Sequence, residues 1–399
     1  MKKEGFTPIR WIEILFGTGF LTLLLSLILR VGFLERIVYD FGHFADFFDH
    51  IRRFYLGLGN VYEEGMHACF PPLAYCMYGL VARILCLDNA GNPDGLDTSG
   101  SGLLLLSMLT ALFAALFLLA FLRPNEAQRR QDRFLAVLLL CSYPFWLAIE
   151  RGNMSLLVLL LLMYAMSLRD SERAAEREFA LILIAVAAAL KLYPAIFGVL
   201  YLVQKRYKEA LRLLAYGIFF FFVPFVFFDG MAGFRIFLHN LTAVGSGATG
   251  VTIVGICGRI GERMGISLAR GHALGKAAAM VYFVMALWVC FRNKNSWRSV
   301  AALTSLMIVF VAASGSYCLI YWAIPFRSFL NEMEGRKQYG KTDYLYAVLF
   351  AGVFFAYPIR AFGSSGMLYL VLYLMIAAML LEHMVCVGKE LRRGSVNDT

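Results

Sequence analysis

The chain has 399 residues, of which 60% are hydrophobic and only 16% charged, with a formal net charge of +10. A soluble domain carries about a quarter charged residues and about half apolar ones, so composition excludes a water-soluble globule and indicates an all-α polytopic membrane protein. The positive balance does not point to nucleic acid, because Lys and Arg fall in short clusters between apolar runs, as cytoplasmic loops do.

The first apolar run, residues 11–33, follows MKKEGFTPIR. It is too long for a signal-peptide core and lacks a small-residue cleavage pattern, so a retained helix is expected. Further apolar segments fall near 71–87, 103–122, 134–149, 154–168, 178–204, 211–228, 274–291, 299–313, 316–330, 342–358 and 366–386. These predict about twelve transmembrane helices and no separate soluble domain, so residues 1–399 read as one integral membrane domain.

Basic clusters at Lys2–Arg10, Lys205–Arg212, Arg292–Arg298, Arg336–Lys341 and Lys389–Arg393 all fit the cytoplasmic side if both termini are inside. RPNEAQRRQDR (123–133) also looks cytoplasmic, whereas strict alternation places it outside; one re-entrant segment, starting at Pro71 or broken at KLYP (191–194), would remove the conflict. Pro194 lacks a backbone donor and should split its helix. The eight cysteines (Cys69, Cys76, Cys86, Cys141, Cys257, Cys290, Cys318, Cys386) have neither zinc-ligand nor disulfide-framework spacing and read as core filler.

Two stretches stay polar and external under this topology, 34–70 and 229–270. The first carries Asp40, Asp46, Asp49, His50, Glu63 and Glu64. Within it, FADFFDHIRRFY (44–55) and the residues just after it set Phe44, Phe47, Phe48, Ile51, Phe54, Tyr55 and Leu58 on one helical face, with Asp46, Asp49, His50 and Arg53 opposite. Such a helix is too charged to span and is expected to lie along the external interface. A carboxylate there suits proton removal from an acceptor hydroxyl. The plainer alternative is a solvated face paired with Arg52, Arg53 and His50.

Beyond it come GNVYEEGMHACFPPLAYCMYGL (59–80), with Tyr62, and ERGNMSLL (150–157), with Arg151 and Asn153 at a helix mouth. ALKLYPAIFGVLYLVQKRY (189–207) places Lys191 and Tyr193 at the proline break. Ionisable groups at membrane depth are costly and default to functional candidates, against the alternative of a snorkelling cation. HNLTAVGSGATG (239–250), with His239 and Asn240, reads as a glycine-rich loop that lets backbone approach a ligand. Trp146, Tyr317, Tyr321 and Trp322 could stack on a ligand, with packing or membrane-belt roles as the plainer reading.

Taken in order, the DFF helix opened by Asp46, G-N-x-Y and PPLAY, RGNMSLL and LKLYP resemble the polyprenyl-phosphate-sugar-dependent glycosyltransferases of family 87, in the glycosyltransferase C superfamily. SGSYCLIYWAIP (314–325), with Ser314 and Tyr317, is similar to the family's Ser- and aromatic-rich segment, although the Trp and His more usual there are absent. The resemblance implies a glycosyltransferase-C-like fold with short interfacial helices in the first external loop. It implies Asp46 as the base, with Asp40 and Asp49 in reserve. Arg151, Lys191 and Asn153 would hold the donor phosphate, and His50, Tyr62, Tyr193, His239, Asn240, Ser314 and Tyr317 would line the substrate. The implied donor is a polyprenyl-phosphate sugar, mannose first, the acceptor a glycolipid or cell-envelope glycan, and the location the plasma or inner membrane with the site facing outside. No metal or cofactor and no nucleic acid is implied.

Two other readings stay open. A polysaccharide polymerase or ligase would use arginines of the second external stretch, where Arg235, Arg259, Arg263 and Arg270 lie. A lipid-linked-glycan transporter or flippase would line its path with Arg151 and Lys191, and predicts paired broken helices in two halves.

Overall fold

The computed structural model describes residues 7–29, 44–55, 61–62, 68–84, 100–123, 126–246, 249–311, 313–357 and 366–397. Asp40, Glu63 and Glu64, expected in the first external stretch, lie outside the described residues. Apart from one two-residue parallel pairing, the regular structure described is helical. In chain order it comprises α1 (Pro8–Ile28), α2 (Ala45–Tyr55), α3 (Pro72–Ile84), α4 (Gly100–Phe121), α5 (Arg129–Leu140), α6 (Tyr143–Glu150), α7 (Ser155–Leu168), α8 (Ala174–Leu190) and α9 (Val199–Val203). It continues with α10 (Tyr207–Phe222), α11 (Met231–Ser246), α12 (Ile253–Arg263), α13 (Leu268–Arg292), α14 (Trp297–Val309), α15 (Ala323–Glu334), α16 (Lys341–Phe355) and α17 (Gly366–Asn397). Strands β1 (Thr249–Gly250) and β2 (Ala313–Ser314) pair between α11 and α12 and after α14.

Among the described residues five helical stretches are long and apolar enough to cross a membrane by themselves: Pro8–Ile28, Gly102–Phe121, Tyr207–Phe227, Leu268–Arg292 and Gly366–Glu390. The pair α5–α6, bent by 57° at Cys141–Ser142, makes a sixth when taken as one span. The chain is therefore a polytopic membrane protein. The long helices have exposed apolar side chains, such as Leu112, Leu214, Phe219 and Val284, which face a lipid solvent at no cost.

The charged residues are not spread evenly. Arg123 donates to both oxygens of Asp132, at 2.7 Å from its backbone N–H and 2.8 Å from Nε, and reaches Glu334 at 3.3 Å. Gln131 ties this cluster to Glu13 of α1 at 2.8 Å. Arg206 joins Asp170 at 2.8 Å, Gln204 reaches Asn295 at 3.0 Å, Ser296 bonds Glu332, and Arg298 clasps Glu382 with two bonds of 2.8 Å. These contacts form one polar belt across one end of the bundle. Arg206, the 295–298 turn, and Arg123 with Gln131 and Asp132 all lie in it, and Arg336 joins it through Glu332.

Local structure follows the sequence at the proline break. α8 stops at Leu190, Lys191 turns extended (φ −145°), and a 3-10 turn over Tyr193–Gly198 starts on Pro194. Because α8 has 17 residues, Lys191 sits about 25 Å from the belt end of that helix. The expected glycine-rich loop at 239–250 is corrected: α11 runs through Ser246, because Phe234, Phe237 and Leu241 recur at helical spacing and pack inward. The 229–270 stretch is thus mostly helix, with α12 packed against the start of α13 through Gly258, Gly261, Gly271 and Gly275, where an added Cβ would lie 2.5–3.3 Å from its neighbours.

Candidate functional site

At the end of the bundle away from the belt, α2 is fastened to the end of α6. Phe44 donates its backbone N–H to the Glu150 carbonyl at 2.9 Å, and Asp46 donates to the Arg151 carbonyl at 3.0 Å. The amphipathic reading of α2 holds for Phe48 and Ile51, which are buried, and for Asp49, which is exposed and pairs with Arg53 at 2.9 Å. His50 departs from it. Its ring is stacked between Phe70 (4.2 Å) and Tyr78 (5.2 Å), because the 68–70 segment and α3 close over that side of the helix. Burial pushes the His50 pKa down to about 4, with Arg53 adding to the effect, so the ring is neutral near pH 7.

Asp46 lies in a different setting from Asp49. Arg151 grips it with a fork, Nε to Oδ2 at 2.9 Å and Nη2 to Oδ1 at 2.6 Å, and Asn153 adds Nδ2 to Oδ2 at 2.7 Å. The side-chain amide oxygen of Asn153, Oδ1, accepts from Lys191 Nζ (2.8 Å), Ser155 Oγ (2.7 Å) and the Ser155 backbone N–H (3.0 Å). Lys191 also donates to Ser155 Oγ at 2.8 Å. One asparagine therefore joins an acid–guanidinium pair to a buried ammonium. The rings of Phe70, Tyr193 and Tyr317 stand 5.0, 5.8 and 5.6 Å from Lys191 Nζ, and Tyr317 is also 5.8 Å from the Arg151 guanidinium.

The valences are nearly but not fully used. An ionised carboxylate has about four lone-pair positions, and three on Asp46 are occupied among the described residues. The open one is on Oδ1. An ammonium has three protons, and two of those on Lys191 are engaged; Arg151 keeps further N–H donors beyond its fork. The acid side chain is about a fifth exposed and that of Arg151 nearly half, so water and ligands reach both.

Of the residues singled out from sequence, Asp46, Arg151, Asn153, Lys191, Tyr193 and Tyr317 come together. Tyr193 is fixed by a 2.8 Å bond to Tyr321. Tyr62 is enclosed by aromatic rings and donates to the Phe70 carbonyl at 2.8 Å, holding that segment from below. Asn240 is buried and anchors the Tyr62 and Ala68 carbonyls at 3.1 and 3.3 Å, while His239 is exposed on the other face of α11. Ser314 lies in β2, its hydroxyl buried without a hydrogen-bond partner among the described residues. Arg235, Arg259, Arg263 and Arg270 are exposed on the α11–α13 segment, and Arg259 is spent on the Gly250 carbonyl. Among the described residues no three His, Cys, Asp or Glu side chains converge to hold a metal.

Sequence reasoning missed Ser155 and Phe70. Ser155 had a signal: Asn-x-Ser ahead of an apolar run is the pattern of an asparagine that folds back on the backbone two residues on and opens a helix. Phe70 had none, since only the fold brings it over Lys191.

An acid, a guanidinium and an ammonium are thus linked through one asparagine at one end of a multi-span membrane protein. Residues 93–315, more than half of the chain, match the model of glycosyltransferase family 87. The chain belongs to that family and is a membrane glycosyltransferase. The matched stretch holds Arg151, Asn153 and Lys191 and begins downstream of Asp46. Neither the curated proteins nor the solved structures contain a match.

Proposed function

We propose that this glycosyltransferase takes its sugar, mannose first, from a polyprenyl-phosphate donor and passes it with inversion to a glycolipid or envelope-glycan acceptor at the outer face of the cell membrane. The observation that carries the reading is the Asp46–Arg151–Asn153–Lys191 chain at the end opposite the basic belt. The open lone pair on Asp46 Oδ1 takes the proton of the acceptor hydroxyl as its oxygen attacks the anomeric carbon. The bond from that carbon to the phosphate oxygen breaks, and the polyprenyl phosphate leaves as an anion needing no general acid. Arg151 and Lys191 supply the spare N–H donors for that anion, the first as a fork and the second as a point charge.

Lys and Arg concentrate on the cytoplasmic side of membrane proteins, so the belt supports a cytoplasmic position for itself and an external one for the site. α1 and α4 each have an end at the belt, and α5–α6, α8 and α14 run from it toward the site. That alternation supports about twelve passes in a glycosyltransferase-C-like arrangement. The same placement explains why 123–133 reads as cytoplasmic.

The test is transfer of label from a panel of synthetic polyprenyl-phosphate sugars to a membrane lipid extract. Asp46→Asn is expected to keep donor binding and lose transfer by roughly 10²- to 10⁴-fold, the usual contribution of a positioned base, while Asp49→Asn retains most activity. Undiminished transfer by Asp46→Asn would sink the assignment.

A further inference from the structure

We propose that Asn240 and Tyr62 are positioning residues for the site: together they clasp the segment that carries Phe70 and hold its ring as a dry cover on the Lys191 ammonium. The cover is testable without a donor, whereas its kinetic consequence rests on the donor reading above.

Lys191 is only 5% exposed, although Arg151 and Asp46 beside it are open to water. Beyond its two hydrogen bonds, three rings surround Nζ, and Phe70 stands nearest at 5.0 Å. The other two are set by their own neighbourhoods: Tyr193 opens the proline turn and is tied to Tyr321, and Tyr317 lies in the Ser316–Trp322 turn. Phe70 has no such frame. Residues 68–70 are neither helix nor strand, and a phenyl ring has no polar atom to bond. What places the ring is therefore whatever satisfies the backbone of that segment.

Two side chains do so. Asn240, buried on α11, gives its amide donors to the carbonyls of Tyr62 (3.1 Å) and Ala68 (3.3 Å), and so fixes two points of the chain, six residues apart, to one helix. Tyr62 then donates its hydroxyl to the Phe70 carbonyl at 2.8 Å. Its own ring is locked among Tyr75, Phe225, Phe228 and Phe237, the last of which lies one turn before Asn240 on α11. The Phe70 ring held in this way stacks on His50 at 4.2 Å and faces Lys191. A cover matters because an ammonium in contact with water is screened, whereas one kept in a dry, low-dielectric setting attracts an anion strongly and responds little to salt.

The experiment uses the full chain in nanodiscs and a small water-soluble acylating reagent, sulfo-N-hydroxysuccinimide acetate. Modification of Lys191 is read by mass spectrometry against Lys205 and Lys208, which are exposed. Asn240→Asp removes the amide donors, Tyr62→Phe the hydroxyl, and Phe70→Ala the ring. Each is expected to speed Lys191 labelling roughly 10-fold or more, the factor that losing a hydrogen bond to a buried carbonyl makes in a local opening equilibrium. Phe70→Tyr keeps the ring and should stay near the native rate. In donor kinetics at low and high salt, KM of Phe70→Ala should rise with salt more steeply than that of the native enzyme, a response that a merely loosened fold does not produce. Unchanged labelling in Phe70→Ala overturns the cover. Unchanged labelling in Tyr62→Phe, or in a well-folded Asn240→Asp, overturns the positioning role of that residue; if Asn240→Asp does not fold, Tyr62→Phe, which keeps the packed ring, decides. Faster labelling of Lys191 with the same salt response in every variant supports the cover and fails the donor reading.

Discussion

Gly152 and Phe44 face each other across the root of the site, both with left-handed backbone (φ +61° and +60°), and a Cβ added to Gly152 would lie 2.9 Å from the Cβ atoms of Phe44 and Phe47. The close approach lets the backbone bonds from Phe44 and Asp46 form to Glu150 and Arg151. Gly152→Ala must therefore push α2 away as well as adopt a conformation that costs an L-residue about 1–2 kcal/mol. It is expected to cut transfer at least as severely as it lowers the melting temperature. Near-native activity in Gly152→Ala would show that the α2–α6 junction does not set the position of Asp46.

Arg151→Lys keeps the charge and loses the fork. A hydrogen bond to a charged group is worth about 1.5–3 kcal/mol, so kcat/KM should drop roughly 10- to 150-fold. Steady-state kinetics over a donor series separates this from a pure binding defect, since loss of orientation lowers kcat and not KM alone.

Lys191→Met tests whether the ammonium is there for stability. Replacing a buried charge with an apolar side chain of similar length is often neutral or stabilising, and Ser155 still holds Asn153 through two bonds in this variant. We expect an equal or higher melting temperature together with a large loss of donor transfer. Joint loss of both would mark Lys191 as a structural cation.

His50 gives a pH signature. Its folded pKa of about 4 lies below the usual 6.5, so the unfolded chain binds more protons between these values and stability rises with pH across that window. The contribution is complete above pH 6.5 and is lost as the pH falls toward 4. Melting curves in detergent at pH 7 and 4.5 should differ less for His50→Phe than for the native chain. An identical pH dependence in the two would exclude His50 as its source.

The Arg123–Asp132 pair is almost wholly buried, with side chains 2% and 0% exposed. Removing one partner strands a buried charge, and Asp132→Ala is expected to cost about 3–5 kcal/mol. Denaturant titration of the double variant Arg123→Leu/Asp132→Leu should show a smaller loss than either single change. A mild effect in Asp132→Ala would mean that Glu334 and Gln131 suffice to hold the arginine.

Much of this protein was legible in its sequence, for reasons of solvent and covalent geometry. Apolar runs of spanning length have one favourable environment, so the membrane class followed from composition. Pro194 cannot donate a hydrogen bond, so the break beside Lys191 followed from one residue. The spacing of Phe48, Ile51 and Asp49 sufficed to give α2 its two faces. Residues within one helix turn obey local rules, and those rules also pointed to Asp46, Arg151, Asn153 and Lys191 as separate candidates.

Their union was not legible. Asp46 and Arg151 are 105 residues apart, and Asn153 and Lys191 a further 38, distances over which no local periodicity carries information. The same holds for the loss of the expected 239–250 loop to α11 and for the enclosure of His50, each decided by what packs against it. Residence in a membrane and the ionisable groups near helix ends can be read from residue order alone, because burying charge in lipid is costly and its placement is restricted. Which acid meets which cation is settled by folding, because a carboxylate becomes a candidate base only where the packed chain orients it and leaves it a lone pair and an opening for the substrate.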